Sequence, residues 1–417
     1  MKKSLFAIAA VTAFAGAAQA QSSVTVYGIL DVGIAGGNYR NQEATAVTKG
    51  TAFGVAQSPQ TTSRLGFRGT EDLGGGLNAF FTVEIGLTPD ATSVISTSAT
   101  SNRQSFVGLR QKGVGSVALG TQYTPIHEAV GRTDPGGQNN LVGSVIYTVS
   151  GQAGVNTGAG GASQTIPASY GLQNGDSYTV RQSNAITLKS ENISGFTARG
   201  FLSARNIDQT QTITASGATA GAGGQNAATG YGLGLDYAFK QFYVTANYQY
   251  FTDKNNTVAQ GTSTIPAITL TGDGQGSLAG QNVNDAQMYA AATYDFGILK
   301  AFVNYIDRKA TSTVNSAFFQ RYTAQQIGVT APITKTVNVW ANVGTGSYES
   351  YGQDLPSANV NAYQLGANYI LSKRTNLYAI YGNAEQSVAK NSTSLNSTAR
   401  NTSYNVNNYA VGVRHTF

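Results

Sequence analysis

The chain has 417 residues, 26 lysines and arginines against 20 acids, 50 glycines, 8 prolines and no cysteine. Without cysteine, neither disulfides nor thiolate metal sites are available, and a weak, dispersed positive balance with no basic run argues against nucleic acid. No stretch beyond the N-terminus is apolar over the ~20 residues that a spanning helix needs, so any membrane crossing must be made by strands.

Residues 1–20 open with Met1-Lys2-Lys3, continue apolar and small from Leu5 to Ala17, and close on Ala18-Gln19-Ala20. That is the form of a secretory signal peptide, with cleavage expected before Gln21 and a single mature domain over 21–417. Loss of Lys2 and Lys3 lowers the 26 basic residues to 24 against 20 acids, a net charge of +4.

From there, segments of about ten residues alternate between apolar and polar faces, the signature of barrel strands. The first covers 24–34, with Val24, Val26, Leu30, Val32 and Ile34 opposing Thr25, Tyr27 and Asp31. A polar loop precedes segments at 63–71 and 78–87, joined by Gly74-Gly75-Gly76. Another loop leads to 103–111 and 116–124, joined at Gly113-Val114-Gly115. The longest interruption, about 125–177, is far above the ~15 residues beyond which loops are uncommon, which marks it as functional or disordered. Its first part, 125–130, suits a helical turn, and the Gly/Ala/Ser-rich stretch 151–164 reads as flexible.

Alternation resumes at 178–189, 196–205, 231–239, 242–251, 287–296, 299–308, 322–331, 337–348, 361–371, 376–388 and 404–417. The count is about sixteen, with room for a weak strand in 92–101. Short and long links take turns, and aromatics stand at both ends of apolar faces such as Tyr231, Leu233, Leu235, Tyr237 and Phe239. Both features fit an all-β transmembrane antiparallel barrel with short periplasmic turns and long external loops. The last segment stops on Phe417 inside a strand, which leaves an open edge unless the sheet closes.

Several charged residues fall opposite the apolar stripe. In Ser63-Arg64-Leu65-Gly66-Phe67-Arg68, outward Leu65 and Phe67 turn Arg64 and Arg68 inward. An arginine on the lipid side at mid-membrane would cost ~2–4 kcal/mol. In 103–111, the phase that turns Phe106 outward turns Arg103 and Ser105 inward. In 178–189, outward Ile186 and Leu188 leave Arg181, Ser183, Thr187 and Lys189 inward. The other use open to these arginines is ion pairing along the wall with Asp31 or Glu84.

Arg64-Leu65-Gly66-Phe67-Arg68-Gly69, Phe106-Val107-Gly108-Leu109 behind Arg103, and Arg181-Gln182-Ser183-Asn184 resemble the general diffusion porins of Gram-negative outer membranes. Val24-Thr25-Val26-Tyr27-Gly28 with Asp31, and the run 119–125, resemble their β-proteobacterial subgroup. The aromatic C-terminal strand is similar to that of outer-membrane barrels at large. The resemblance implies a 16-strand barrel in the outer membrane, among lipid and lipopolysaccharide, assembled as a homotrimer. It implies passive diffusion of small hydrophilic solutes and ions, with no enzyme activity, cofactor or metal. It implies that the third external loop, about 125–177, folds into the pore. There, the basic ladder would be Arg64, Arg103 and Arg181 with Arg68 below, facing Glu128 and Asp134 on the loop. More arginines than loop acids imply a weak preference for anions. The alternatives are a substrate-specific channel, a barrel hydrolase built on His127 (His415 is the only other histidine), or an adhesion barrel.

Overall fold

A computed structural model describes residues 23–42, 47–91, 94–95, 102–147, 177–213, 219–255, 283–313, 316, 319–350, 358–387 and 403–417. The leader at 1–20, the stretch 151–164 and most of 92–101 lie outside the described residues.

The strands are β1 (Ser23–Gln42), β2 (Val47–Gln57), β3 (Arg64–Gly74), β4 (Leu77–Gly86), β5 (Asn102–Gln111), β6 (Gly115–Tyr123), β7 (Arg181–Ser190), β8 (Phe196–Ile213) and β9 (Thr219–Phe239). They continue as β10 (Phe242–Asn255), β11 (Val283–Asp295), β12 (Lys300–Ser312), β13 (Phe319–Pro332), β14 (Val337–Ser350), β15 (Ala358–Ile370), β16 (Thr375–Gln386) and β17 (Ser403–Thr416). From β3 onwards each strand pairs antiparallel with the next, β1 pairs with β2 and β3, and β17 returns to β1, so the sheet closes. The last rung is reciprocal: the amides of Gly28 and Phe417 each donate to the other's carbonyl at 3.1 Å.

Two of these strands share one place in the wall. β2 pairs with residues 32–42 of β1 and β3 with residues 23–29, so together they are one strand interrupted at 58–63. The barrel is therefore sixteen strands round. The additional segment lies at 47–57, a stretch expected to be loop. Its outward phase is marked by only three large apolar residues, Val47, Phe53 and Val55, against small Ala52, Gly54 and Ala56.

Asp31 organises the interruption. Its fully buried carboxylate accepts hydrogen bonds from the amides of Gln60 and Thr61 and from the Tyr378 hydroxyl. Pro59 has no N–H to give to a ladder, and Ser63 Oγ accepts the Asp31 amide at 3.0 Å.

Outside, Leu233, Leu235, Val303, Ile327, Val343 and Leu365 are exposed as an aliphatic belt. Tyr231, Tyr305, Tyr363 and Tyr381 fringe it on one side and Phe239, Phe242, Tyr294 and Tyr369 on the other. Tyr231 and Phe239 are eight residues apart, ~26 Å along the strand. Once tilted, that covers most of the ~25 Å apolar band of an outer-membrane barrel.

The packed core sits inside the barrel, between the long loop and the wall. Ile126, Ala129, Val130, Val145 and Ile146 of the loop meet Tyr289, Ile306, Ala324 and Ala362 of the strands. The wall is kept small where the loop backbone comes close. A Cβ at Gly382 would lie 1.7 Å from the Val142 carbonyl oxygen, and one at Gly344 would lie 2.3 Å from Val145.

Candidate pore constriction

The long loop enters the lumen through helix α1 (Pro125–Thr133). Thr124 caps it by accepting the His127 amide, and Pro125 occupies the first turn, where no N–H is needed. The helix packs along β8 to β12. Residues 134–147 then cross β13 to β16 on a belt of neutral amides. Gln326 Oε1 accepts from Ser144 Oγ at 3.1 Å and from the Val145 amide at 3.2 Å. Gln364 and Asn139 exchange a reciprocal pair of hydrogen bonds. Asn140 docks on the β2/β3 interruption through the carbonyls of Ser58 and Pro59. On the way back, Thr179 donates to Gln287 Oε1 at 2.7 Å, beside Gln249. The loop thus lines the wall from β8 to β16 and leaves β3 to β7 facing the lumen.

Arg64 on β3, Arg103 on β5 and Arg181 on β7 stand on that open wall. Each stands beside an irregularity: the 58–63 interruption, the β4/β5 shift at Glu84/Ile85, and the β6/β7 shift at Gly120/Gln122. Bulges re-aim side chains in this way. At Arg103 the effect reverses the expected phase. Val107 and Leu109 are exposed to lipid, while Phe106 points inward with Arg110. Arg103 faces in because of the register shift beside it, and a one-residue slip moves every side chain to the other face.

Glu84, only 3% exposed, is the acid among these arginines. Its Oε1 lies 2.7 Å from Arg103 Nε and 3.6 Å from Arg64 Nη1, and Tyr27 donates to its Oε2. Arg103 also donates to the Tyr123 hydroxyl at 2.7 Å, and Arg181 Nη1 to the Asn102 carbonyl at 3.2 Å. Arg68 reaches lumen solvent on the periplasmic side, with its guanidinium 5.2 Å from the Tyr27 ring.

The edge of the loop beside this group is aromatic rather than acidic. The His127 ring lies 4.4 Å from that of Tyr123, tilted by 41°, and Tyr147 follows at 6.2 Å. Burial, then the charges of Arg181, Arg103 and Arg64, hold the His127 imidazole well below its ordinary pKa, so it stays neutral. Burial pushes the Tyr147 phenol up, so it too is uncharged.

The two loop acids sit elsewhere. Glu128 pairs with Arg199 at 3.2 Å and Lys189 at 3.6 Å. Arg199 also binds Asp236, which Arg132 approaches at 3.6 Å, so these charges clamp α1 to β7, β8 and β9. Asp134 is 7% exposed at the C-cap of α1, accepting the Gln138 amide at 2.6 Å. Burial raises its pKa to about 6. Opposition between the arginines and these acids is therefore not the geometry found; Glu84 of the wall takes that place. Arg199 was not singled out in the sequence, although outward Ala198 and Leu202 set its inward phase.

A closed transmembrane sheet, an apolar belt with aromatic fringes and an internal loop leaving an arginine-lined gap define a membrane channel of the porin class. A profile described as Gram-negative porin matches residues 7–389, and the chain belongs to that family. It is 29% identical, over the full length of both chains, to an outer membrane porin protein of Bordetella pertussis. To outer membrane porin protein 32 of Delftia acidovorans it is 35% identical over 51% of this chain and 52% of the other. Among solved structures it resembles the anion-selective porin from Comamonas acidovorans, with a TM-score of 0.62 and 22% identity over 95% and 100% of the two chains. The trimer form of OmpT of Vibrio cholerae gives a TM-score of 0.56 at 15% identity over 95% and 99%. The protein is an outer-membrane porin, a channel for general diffusion.

Proposed function

We propose that the narrowest part of the channel lies between the loop and the arginines of β3, β5 and β7, and that it passes small hydrophilic anions in preference to cations. The observation that carries this reading is the excess of positive charge on the open wall. Arg64, Arg103 and Arg181 share one neighbouring carboxylate, Glu84, a net of about two charges. A net of two charges ~8 Å from a passing ion gives ~1 kcal/mol in bulk-water dielectric, of opposite sign for anion and cation. Screening at 0.1 M salt halves the ~2 kcal/mol difference, leaving a roughly fivefold preference. A solved neighbour of the same fold is itself described as anion-selective.

The same reading makes the chain a channel and not an enzyme. The ring nitrogen of His127 meets the Tyr178 hydroxyl and Gln138, with neither a serine nor an acid placed against it among the described residues. We further propose a homotrimer in the lipid and lipopolysaccharide of the outer membrane. The exposed tyrosines among the described residues all lie on β9 to β17, whereas the outward face of β1 to β6 carries Val24, Val26, Leu30, Val83, Val107 and Leu109 with Phe53 and Phe67. Tyrosine girdles mark contact with lipid headgroups, so the face lacking them suits protein neighbours.

The test of selectivity is the reversal potential in a planar bilayer under a potassium chloride gradient. Arg64→Ser together with Arg103→Ser should raise conductance and move selectivity towards cations. Reversal potentials equal to the wild type would remove these arginines from the constriction.

A further inference from the structure

The lumen of a diffusion channel is polar, yet two phenylalanines face it on the wall left open by the loop. On β4, Asn78, Phe80, Thr82 and Glu84 share the inward face, a phase fixed by the bonds of Glu84 to Arg103 and Tyr27. On β5, Phe106 stands opposite Thr82, and Gly108 opposite Phe80. The rings of Phe80 and Phe106 meet edge to face, 6.2 Å apart at 77°. Gly108 makes the space for this: a Cβ there would meet Phe80 Cζ at 2.6 Å. Both rings remain partly exposed, and Phe80 borders a cavity of about 930 Å³ on the short-turn, periplasmic side.

The charges around the rings are unbalanced. Arg68 faces Thr82 across the β3/β4 register, and Arg110 follows Gly108 on the inward face of β5. Lys112, Lys189 and Arg132 complete the cations of the cavity. Arg110 is paired with Glu191 at 2.8 Å, Lys189 with Glu128 and Arg132 with Asp236, which leaves Arg68 and Lys112 in excess. An apolar aromatic surface flanked by guanidinium groups is complementary to a flat ring carrying one negative charge. An aliphatic anion would engage the cations alone, and a neutral arene the rings alone.

We propose that Phe80 and Phe106, with Arg68 and Arg110 on either side, form a subsite for aryl carboxylates beneath the constriction. The inference rests on the channel reading above and names a solute class for it. The ring of the solute packs against the two phenylalanines, and its carboxylate exchanges hydration for a guanidinium. A cavity of this size, within the ~300–1,000 Å³ of small-molecule sites, holds a benzoate with water around it, so residence is brief and passage continues.

The probe is sodium benzoate, compared with sodium cyclohexanecarboxylate, which has the same charge on a puckered ring, while potassium chloride current is recorded through single wild-type channels. Benzoate should halve the current at about fivefold lower concentration, the advantage expected of aromatic over saturated contact. Phe80→Leu with Phe106→Leu should abolish that difference and leave the reversal potential in plain potassium chloride unchanged. If the double variant does not assemble, Phe106→Leu alone should at least halve the difference. Equal potency of the two acids on the wild type, or an undiminished benzoate advantage in the leucine variants, would overturn the subsite while the channel reading stands. Absence of any potassium chloride conductance would overturn both.

Discussion

Glu84 is the residue on which the charge of the constriction turns. It lies between two guanidiniums, accepts from a tyrosine and is nearly inaccessible to solvent. Replacing it by glutamine keeps the shape and raises the net positive charge at the ladder from about two to about three. By the Coulomb and screening arithmetic that gives a fivefold preference at two charges, Glu84→Gln should raise the anion-to-cation permeability ratio about twofold. Reversal potentials in a salt gradient measure this directly, and an unchanged ratio would show that Glu84 is electrically remote from the ion path. The guanidiniums remain charged in either case, because arginine does not give up its proton in proteins. Glu84 was visible in the sequence only as a possible wall partner for arginine. Its role as the ladder's acid depends on the inward phase of β4 and the shift beside Arg103, neither of which the residue types reveal.

Among the elements, the strands were legible because a two-residue period and the cost of an arginine in lipid fix the phase of a continuous ladder. The phase failed at the bulge. Phe106 looked outward and faces in, since one inserted residue inverts everything beyond it. β2 passed for loop because small and polar residues outnumber its three outward large apolar ones. Beyond the helical turn at 125–130 and the entry into the pore that the resemblance implied, the path of the loop was not legible: its anchors are amides on β10, β11, β13 and β15, distant in sequence, and no local pattern announces them. The loop contains two titrations of opposite sign, at His127 and Asp134. The Asp134 carboxyl, raised to about 6 by burial, lies above its ordinary value, so the folded loop favours its protonated form. Its contribution to stability is therefore complete below about pH 4 and is lost as pH rises through about 6, a span worth about 3 kcal/mol. Buried neutral His127 acts in the opposite sense, losing stability as pH falls. Asp134→Asn should therefore leave that slope alone, gain stability relative to wild type as pH rises from 4 to 7, and be the more stable form at pH 7.5. Parallel unfolding curves for variant and wild type across that range would refute the assignment.

For the whole molecule, closure and assembly belong to different surfaces. The barrel shuts where Phe417 meets Gly28 in mutual hydrogen bonds, a seam of backbone that any outward side chain leaves intact. The outward face of β1 to β6 is a separate matter, and there Val107→Asn should release monomers in mild detergent, as measured by light scattering. Leu365→Asn, on the tyrosine-fringed side, should leave the oligomer whole. A monomeric wild type, or equal dissociation by both variants, would sink the assignment of that face. The amide belt behind the loop has a consequence of another kind. Gln249, Gln287, Gln326 and Gln364 carry no charge, so neither acidity nor ionic strength dissolves their grip. Holding the loop and filtering the ions fall to separate sets of side chains. The rim charges are thus free to be rewritten, by drift or by an engineer, on a frame that does not feel the change.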